Sequence, residues 1–164
     1  MATSFNYMEV LEIAKEIERE GARFYREASA RATHETARRL LHTLAVEEHG
    51  HEAYFEDLQQ KALTSQQESS VPDLDEVTGA YLRSLAPGRI FPQARDATDW
   101  LSGQESPADV LRVALRMEEA AVAFYAALKL AMPPEWDPDH LQELLSEEER
   151  HVALIRAALR TLGA

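Results

Sequence analysis

The stretch LAVEEHGHEAYF, residues 44–55, places Glu48 and His51 where the buried face of a helix ordinarily carries leucine. With 21 Glu and 6 His in 164 residues, random placement gives about one Glu-x-x-His pair, the i, i+3 spacing that puts both side chains on one helical face. The chain has two. The second, Glu148 and His151 in LLSEEERHVALI (144–155), follows the first at an offset of 100 residues.

That offset extends well beyond the pair. Val10, Leu11, Ala14, Glu18, Phe24 and Tyr25 recur as Val110, Leu111, Ala114, Glu118, Phe124 and Tyr125. Leu41, Leu44, Glu47, Glu48, His51 and Ala53 recur as Leu141, Leu144, Glu147, Glu148, His151 and Ala153. Two copies of one helical hairpin account for this pattern. Apolar periodicity and end signals predict helices from Ser4 or Asn6 to about Ala30, and from about Thr33 to Leu63. A third starts at Ser106-Pro107 and ends before Pro133-Pro134, and a fourth starts at Asp137-Pro138. No stretch alternates as a strand does. The expected fold is all-α: a four-helix bundle of two antiparallel hairpins, forming one domain over residues 1–164.

Residues 63–106, rich in Ser, Pro, Gly and Asp, separate the copies. A helix of ~26 residues is ~39 Å long, and a connection of this length can cross a bundle from end to end. Within it, TGAYLRSLA (78–86) reads as a short helix on the outside of the bundle.

Composition narrows the function classes. A formal charge of −12 argues against nucleic-acid binding, which calls for a basic stripe. No apolar run reaches the ~20 residues of a membrane span, and no signal peptide is visible, so a cytoplasmic location is expected. The absence of cysteine excludes disulfides, thiolate metal sites and cysteine nucleophiles.

The 3-4 spacing defines a buried seam on each helix. It reads Leu11, Ala14, Glu18, Gly21, Tyr25, Ala28 on the first and Leu41, Leu44, Glu48, His51, Phe55, Leu58 on the second. The third gives Leu111, Ala114, Glu118, Ala121, Tyr125, Leu128, and the fourth Leu141, Leu144, Glu148, His151, Ile155, Ala158. Every seam is interrupted at mid-length by Glu, and two add His one turn later. For hairpins turning near Thr33 and Pro133, all four Glu lie 15 residues from their turn and therefore level.

An isolated Glu-x-x-His is most often a solvated face, and a buried His is most often a hydrogen-bonded core residue. Four buried carboxylates are different, because each ionised group loses several kcal/mol of solvation. No seam position nearby carries Lys or Arg to offset them. Two divalent cations balance four Glu with neutral histidines. Glu47, Glu147, Glu119 and Glu149 fall one position off the seam and are assigned to the rim or solvent. His34, His42, His49 and His140 lack the paired context. Tyr25 and Tyr125 read equally as core packing or as phenols bonded to metal-binding carboxylates.

Glu18 with ARFY, Glu48-x-x-His51, Glu118 with VAFY and Glu148-x-x-His151 resemble the ferritin-like di-iron carboxylate superfamily, and within it the rubrerythrin family. The resemblance covers about residues 5–60 and 107–160. It implies two iron ions, with manganese or zinc as alternative occupants of the purified protein. Glu18 and Glu118 would be terminal ligands, Glu48 and Glu148 bridges, and His51 and His151 one ligand each; reactivity would run through these six residues by way of the metals. Two features depart from the family. Typical rubrerythrins carry a C-terminal rubredoxin-like domain with four cysteines, whereas this chain ends at Ala164 without cysteine. They also carry an extra Glu where this chain has Ala121, which weakens a peroxidase assignment.

The leading expectation is an oxidoreductase that reduces hydrogen peroxide or O2 with an external electron donor, in oxidative-stress defence. The alternatives are an iron-handling ferroxidase and a non-catalytic metal-binding bundle. A homodimer is expected, with neither nucleic acid nor membrane as partner.

Overall fold

The computed structural model describes residues 6–64, 74–85, 101–132 and 138–164. Ser4, the Pro133-Pro134 turn and Asp137 lie outside these residues, as does part of the crossover. The described residues form α1 (Tyr7–Arg31), α2 (Glu35–Thr64), α3 (Glu76–Ser84), α4 (Pro107–Ala131) and α5 (Pro138–Thr161).

Local chemistry sets the helix starts. Asn6 caps α1 by a reciprocal box: its Oδ1 accepts the Glu9 N–H at 3.1 Å, and its own N–H donates to Glu9 Oε2 at 2.9 Å. At the same offset of 100, Ser106 and Asp109 make the matching box on α4, with Pro107 at the first helical position. The expected start of α2 at Thr33 is corrected: His34 precedes the helix, and its Nδ1 accepts the Ala37 N–H at 3.4 Å.

Helix α1 packs on α2 and α4 on α5, and the two hairpins meet through α2 against α5 and α1 against α4. Among the described residues the core is two apolar clusters. One gathers Leu11, Phe55, Phe124 and Leu141, from the first half of α1 and α5 and the second half of α2 and α4. The other gathers Phe24, Leu41, Leu111 and Ile155 from the opposite halves. Neighbours in each hairpin are therefore antiparallel, and α2 ends at the end of the bundle opposite to where α4 begins. The segment that joins them therefore starts and finishes at opposite ends of the bundle. Within it α3 lies against α4 and buries Leu82 completely in the first cluster.

All seam positions are buried except Ala158, which is half-buried; Leu159 takes its place as α5 ends. Among the described residues no helix is long and apolar enough to cross a membrane.

Candidate metal centre

Between the two apolar clusters lies a polar layer. Glu18, Glu48, Glu118, Glu148, His51 and His151 are all at most 6 % exposed. Every side chain that interrupts a seam thus meets in one place, and this levelling follows from the antiparallel hairpins.

The six residues form two overlapping groups, Glu18/Glu48/His51/Glu148 and Glu48/Glu118/Glu148/His151. In each group one donor atom per residue lies within 4.8 Å of the others. Glu48 and Glu148 belong to both. Each imidazole turns Nδ1 inward: His51 Nδ1 is 2.7 Å from Glu148, 3.2 Å from Glu18 and 3.9 Å from Glu48. His151 Nδ1 is 3.1 Å from Glu48, 3.3 Å from Glu118 and 3.5 Å from Glu148. One nitrogen thus faces three carboxylates, and a single N–H cannot serve all three. Glu48 Oε1 and both Glu148 oxygens are buried and accept no hydrogen bond among the described residues. Carboxylate oxygens and imidazole nitrogens converging in this way are a donor set for divalent first-row metals, and the residues present fit two of them.

The second nitrogen of each ring points outward to the opposite hairpin. His51 Nε2 lies 2.8 Å from Glu147, and His151 Nε2 lies 2.9 Å from Glu47. Both glutamates are at the rim, as expected, but they are not merely solvated. Their recurrence at the 100-residue offset is the signal that reveals them. An N–H donated from Nε2 leaves the Nδ1 lone pair facing the carboxylates, the tautomer a metal requires.

Tyr25 and Tyr125 combine both roles that the sequence allows them. They are at most 1 % exposed and stand in the apolar clusters, yet their hydroxyls donate to carboxylates. Tyr25 donates to Glu118 and Tyr125 to Glu18, each across to the other hairpin. Helical side chains lean toward the N-terminus, so each phenol reaches back two turns to the carboxylate layer.

Burial, reinforced by neighbouring carboxylates, pushes Glu18, Glu48 and Glu118 well above the usual carboxylate range. For Glu148, burial acts in the same direction but is outweighed by the close imidazoles of His151 and His51, which hold it low. Burial depresses His51, but the neighbouring carboxylates of Glu148, Glu48 and Glu147 prevail and push it up to about 9. Burial, followed by the charge of Glu118, raises the Tyr25 phenol and keeps it a donor.

Of the other histidines, His49 is 81 % exposed and stands apart from the centre. His42 and His140 are exposed, and His34 serves the α2 start. Glu119 pairs at the surface with Arg156, and Glu149 is exposed. The repeat suggests a symmetric site, and the six donors obey it, but their supports do not. Arg150 binds Glu47 at 3.0 Å, whereas the residue equivalent to Arg150 is Gly50.

No protein-family profile matches the chain, and no curated protein is significantly similar to it. Among solved structures, a Thermotoga maritima protein provisionally assigned as a ferritin-like diiron-carboxylate protein shares its fold. The TM-score is 0.74 over 98 % of both chains, at 19 % sequence identity. The fold is a ferritin-like helical bundle.

Proposed function

We propose that this chain is a di-metal carboxylate oxidoreductase of rubrerythrin type that reduces hydrogen peroxide or O2 with electrons from an external donor. The observation that carries this reading is the pair of overlapping four-residue groups, fully buried and sharing Glu48 and Glu148. Glu18 and His51 would hold one ion, Glu118 and His151 the other, and Glu48 and Glu148 both. The helix order and the Phe-Tyr that follows Glu18 and Glu118 support the rubrerythrin type. A ferrous pair in such a site supplies the two electrons that, with two protons, convert hydrogen peroxide to two waters.

The chain's own residues prepare that chemistry. Tyr25 and Tyr125 orient the terminal carboxylates, and Glu47 and Glu147 orient the imidazoles. The apolar clusters above and below exclude water, which strengthens each electrostatic contact inside. A second reading, iron handling as a ferroxidase, is favoured by the acidic cleft beside His51, where Glu47, Glu143 and Glu147 gather.

The test is anaerobic loading with two Fe(II) per chain, followed by mixing with peroxide or O2. Faster oxidation by peroxide supports the peroxidase. Faster oxidation by O2, with continued turnover of excess Fe(II), supports the ferroxidase, and inertness to both leaves a non-catalytic bundle. Native particle size adds a check, because a large shell fits storage and a dimer fits the enzyme.

A further inference from the structure

Resting on the di-metal reading, we propose that the two metal positions exchange at unequal rates, with the His51 side as the route by which metal enters and leaves. The asymmetry lies in what stands behind each imidazole. His151 is fully buried, and its partner Glu47 is doubly engaged: one oxygen faces His151 Nε2 at 2.9 Å, and the other accepts from Arg150 at 3.0 Å. The guanidinium bridges α5 to α2 and locks that side. On the His51 side the corresponding glutamate, Glu147, is 53 % exposed, and position 50 is glycine.

Nothing in the packing demands a glycine there. A Cβ at Gly50 would meet nothing within 4 Å, and Gly50 is not among the residues with positive φ. Glycine is also among the poorest helix formers, yet it stands in the middle of α2. Its effect is to leave open a cleft of about 350 Å³ that reaches from solvent to the outer edge of His51. Glu47, Glu143 and Glu147 line this cleft and attract cations toward it. His51 can turn into this space once its bond to an exposed glutamate opens, which uncovers the position it shares with Glu18. His151 has no such freedom while Arg150 holds Glu47.

The experiment is stopped-flow release into excess chelator, after anaerobic loading with Co(II) and followed by the cobalt absorption bands. Release is expected in two phases of equal amplitude, separated by roughly 10-fold or more in rate. Gly50→Arg should slow the fast phase and leave the slow one unchanged. Arg150→Ala should speed the slow phase toward the fast one. Both substitutions are at exposed positions, so either variant alone tests the idea if the other misfolds. Uptake of two ions per chain with single-phase release, or phases indifferent to both substitutions, overturns the inference and leaves the di-metal reading intact. Uptake of fewer than two ions overturns both.

Discussion

Tyr25, on the first helix, donates its phenolic hydrogen bond to Glu118, on the first helix of the other hairpin. Tyr125 returns the arrangement to Glu18, so each half of the repeat orients a carboxylate belonging to the other. Tyr25→Phe should therefore weaken the position built on Glu118 and His151, and Tyr125→Phe the one built on Glu18 and His51. Such supporting contacts change affinity by roughly 10–100-fold. Metal titration of the two variants checks this, and unaltered affinity in both would reduce the tyrosines to core packing.

Membership of one or both groups separates the carboxylates. Glu18→Ala and Glu118→Ala should each cost one ion and spare the other, as should His51→Ala and His151→Ala. Glu48→Ala and Glu148→Ala should cost both, because each residue serves both groups. His49→Ala, at an exposed ring, should change nothing. Elemental analysis of the purified variants distinguishes the three outcomes.

Metal removal and pH are linked. Glu18, Glu48 and Glu118 titrate above their ordinary value of 4.5 in the folded chain. Their contribution to stability is therefore complete below pH 4.5 and is lost as pH rises through the raised values. His51 behaves alike, contributing fully below 6.5 and losing its contribution as pH passes about 9. Glu148 runs the other way, contributing above 4.5 and losing that contribution as pH falls through its lowered value. The metal-free protein should thus weaken from mildly acidic to alkaline pH, whereas bound cations hold the carboxylates ionised. One ion at ~1,000 times its Kd adds about 4 kcal/mol, which at ~2–4 °C per kcal/mol means a Tm about 8–16 °C lower for each ion removed by chelation. Calorimetry of both forms from pH 5 to 8 should show this gap widening with pH. Equal stability at pH 7 would contradict the burial argument.

Away from the centre, Leu82 anchors α3 and is completely buried. Leu82→Ala should destabilise the chain by about 2–5 kcal/mol while leaving metal stoichiometry intact. Chemical denaturation and elemental analysis of the same sample read the two effects separately.

The seam positions of Glu18, Glu48, His51, Glu118, Glu148 and His151 were legible in the sequence, because helical spacing assigns a residue to a face and equal distances from the turns assign it to a height. The partners of Tyr25 and Tyr125 were not. Their spacing points along their own helix, and only the packing of α1 against α4 carries each phenol across to the other hairpin. Glu47 and Glu147 lie one position off the seam, where a glutamate reads as solvated. Their role depends on Nε2 of a histidine in the opposite hairpin. The exchange of Arg150 for Gly50 is plain in the sequence, but it acquires meaning only once Glu47 is seen between Arg150 and His151. The start at Ser106-Pro107 was legible, whereas for α1 the sequence allows Ser4 or Asn6 and the box at Asn6 decides between them. Helix α2 starts two residues later than expected, where a histidine ring takes the capping position.

The most direct measurement is a crystal structure of the metal-replete protein with anomalous scattering at the metal edge. Two ions per chain are expected, about 3–4 Å apart as in two-metal sites generally, both in contact with Glu48 and Glu148. A single ion, or ions bound away from these six side chains, would contradict the central claim.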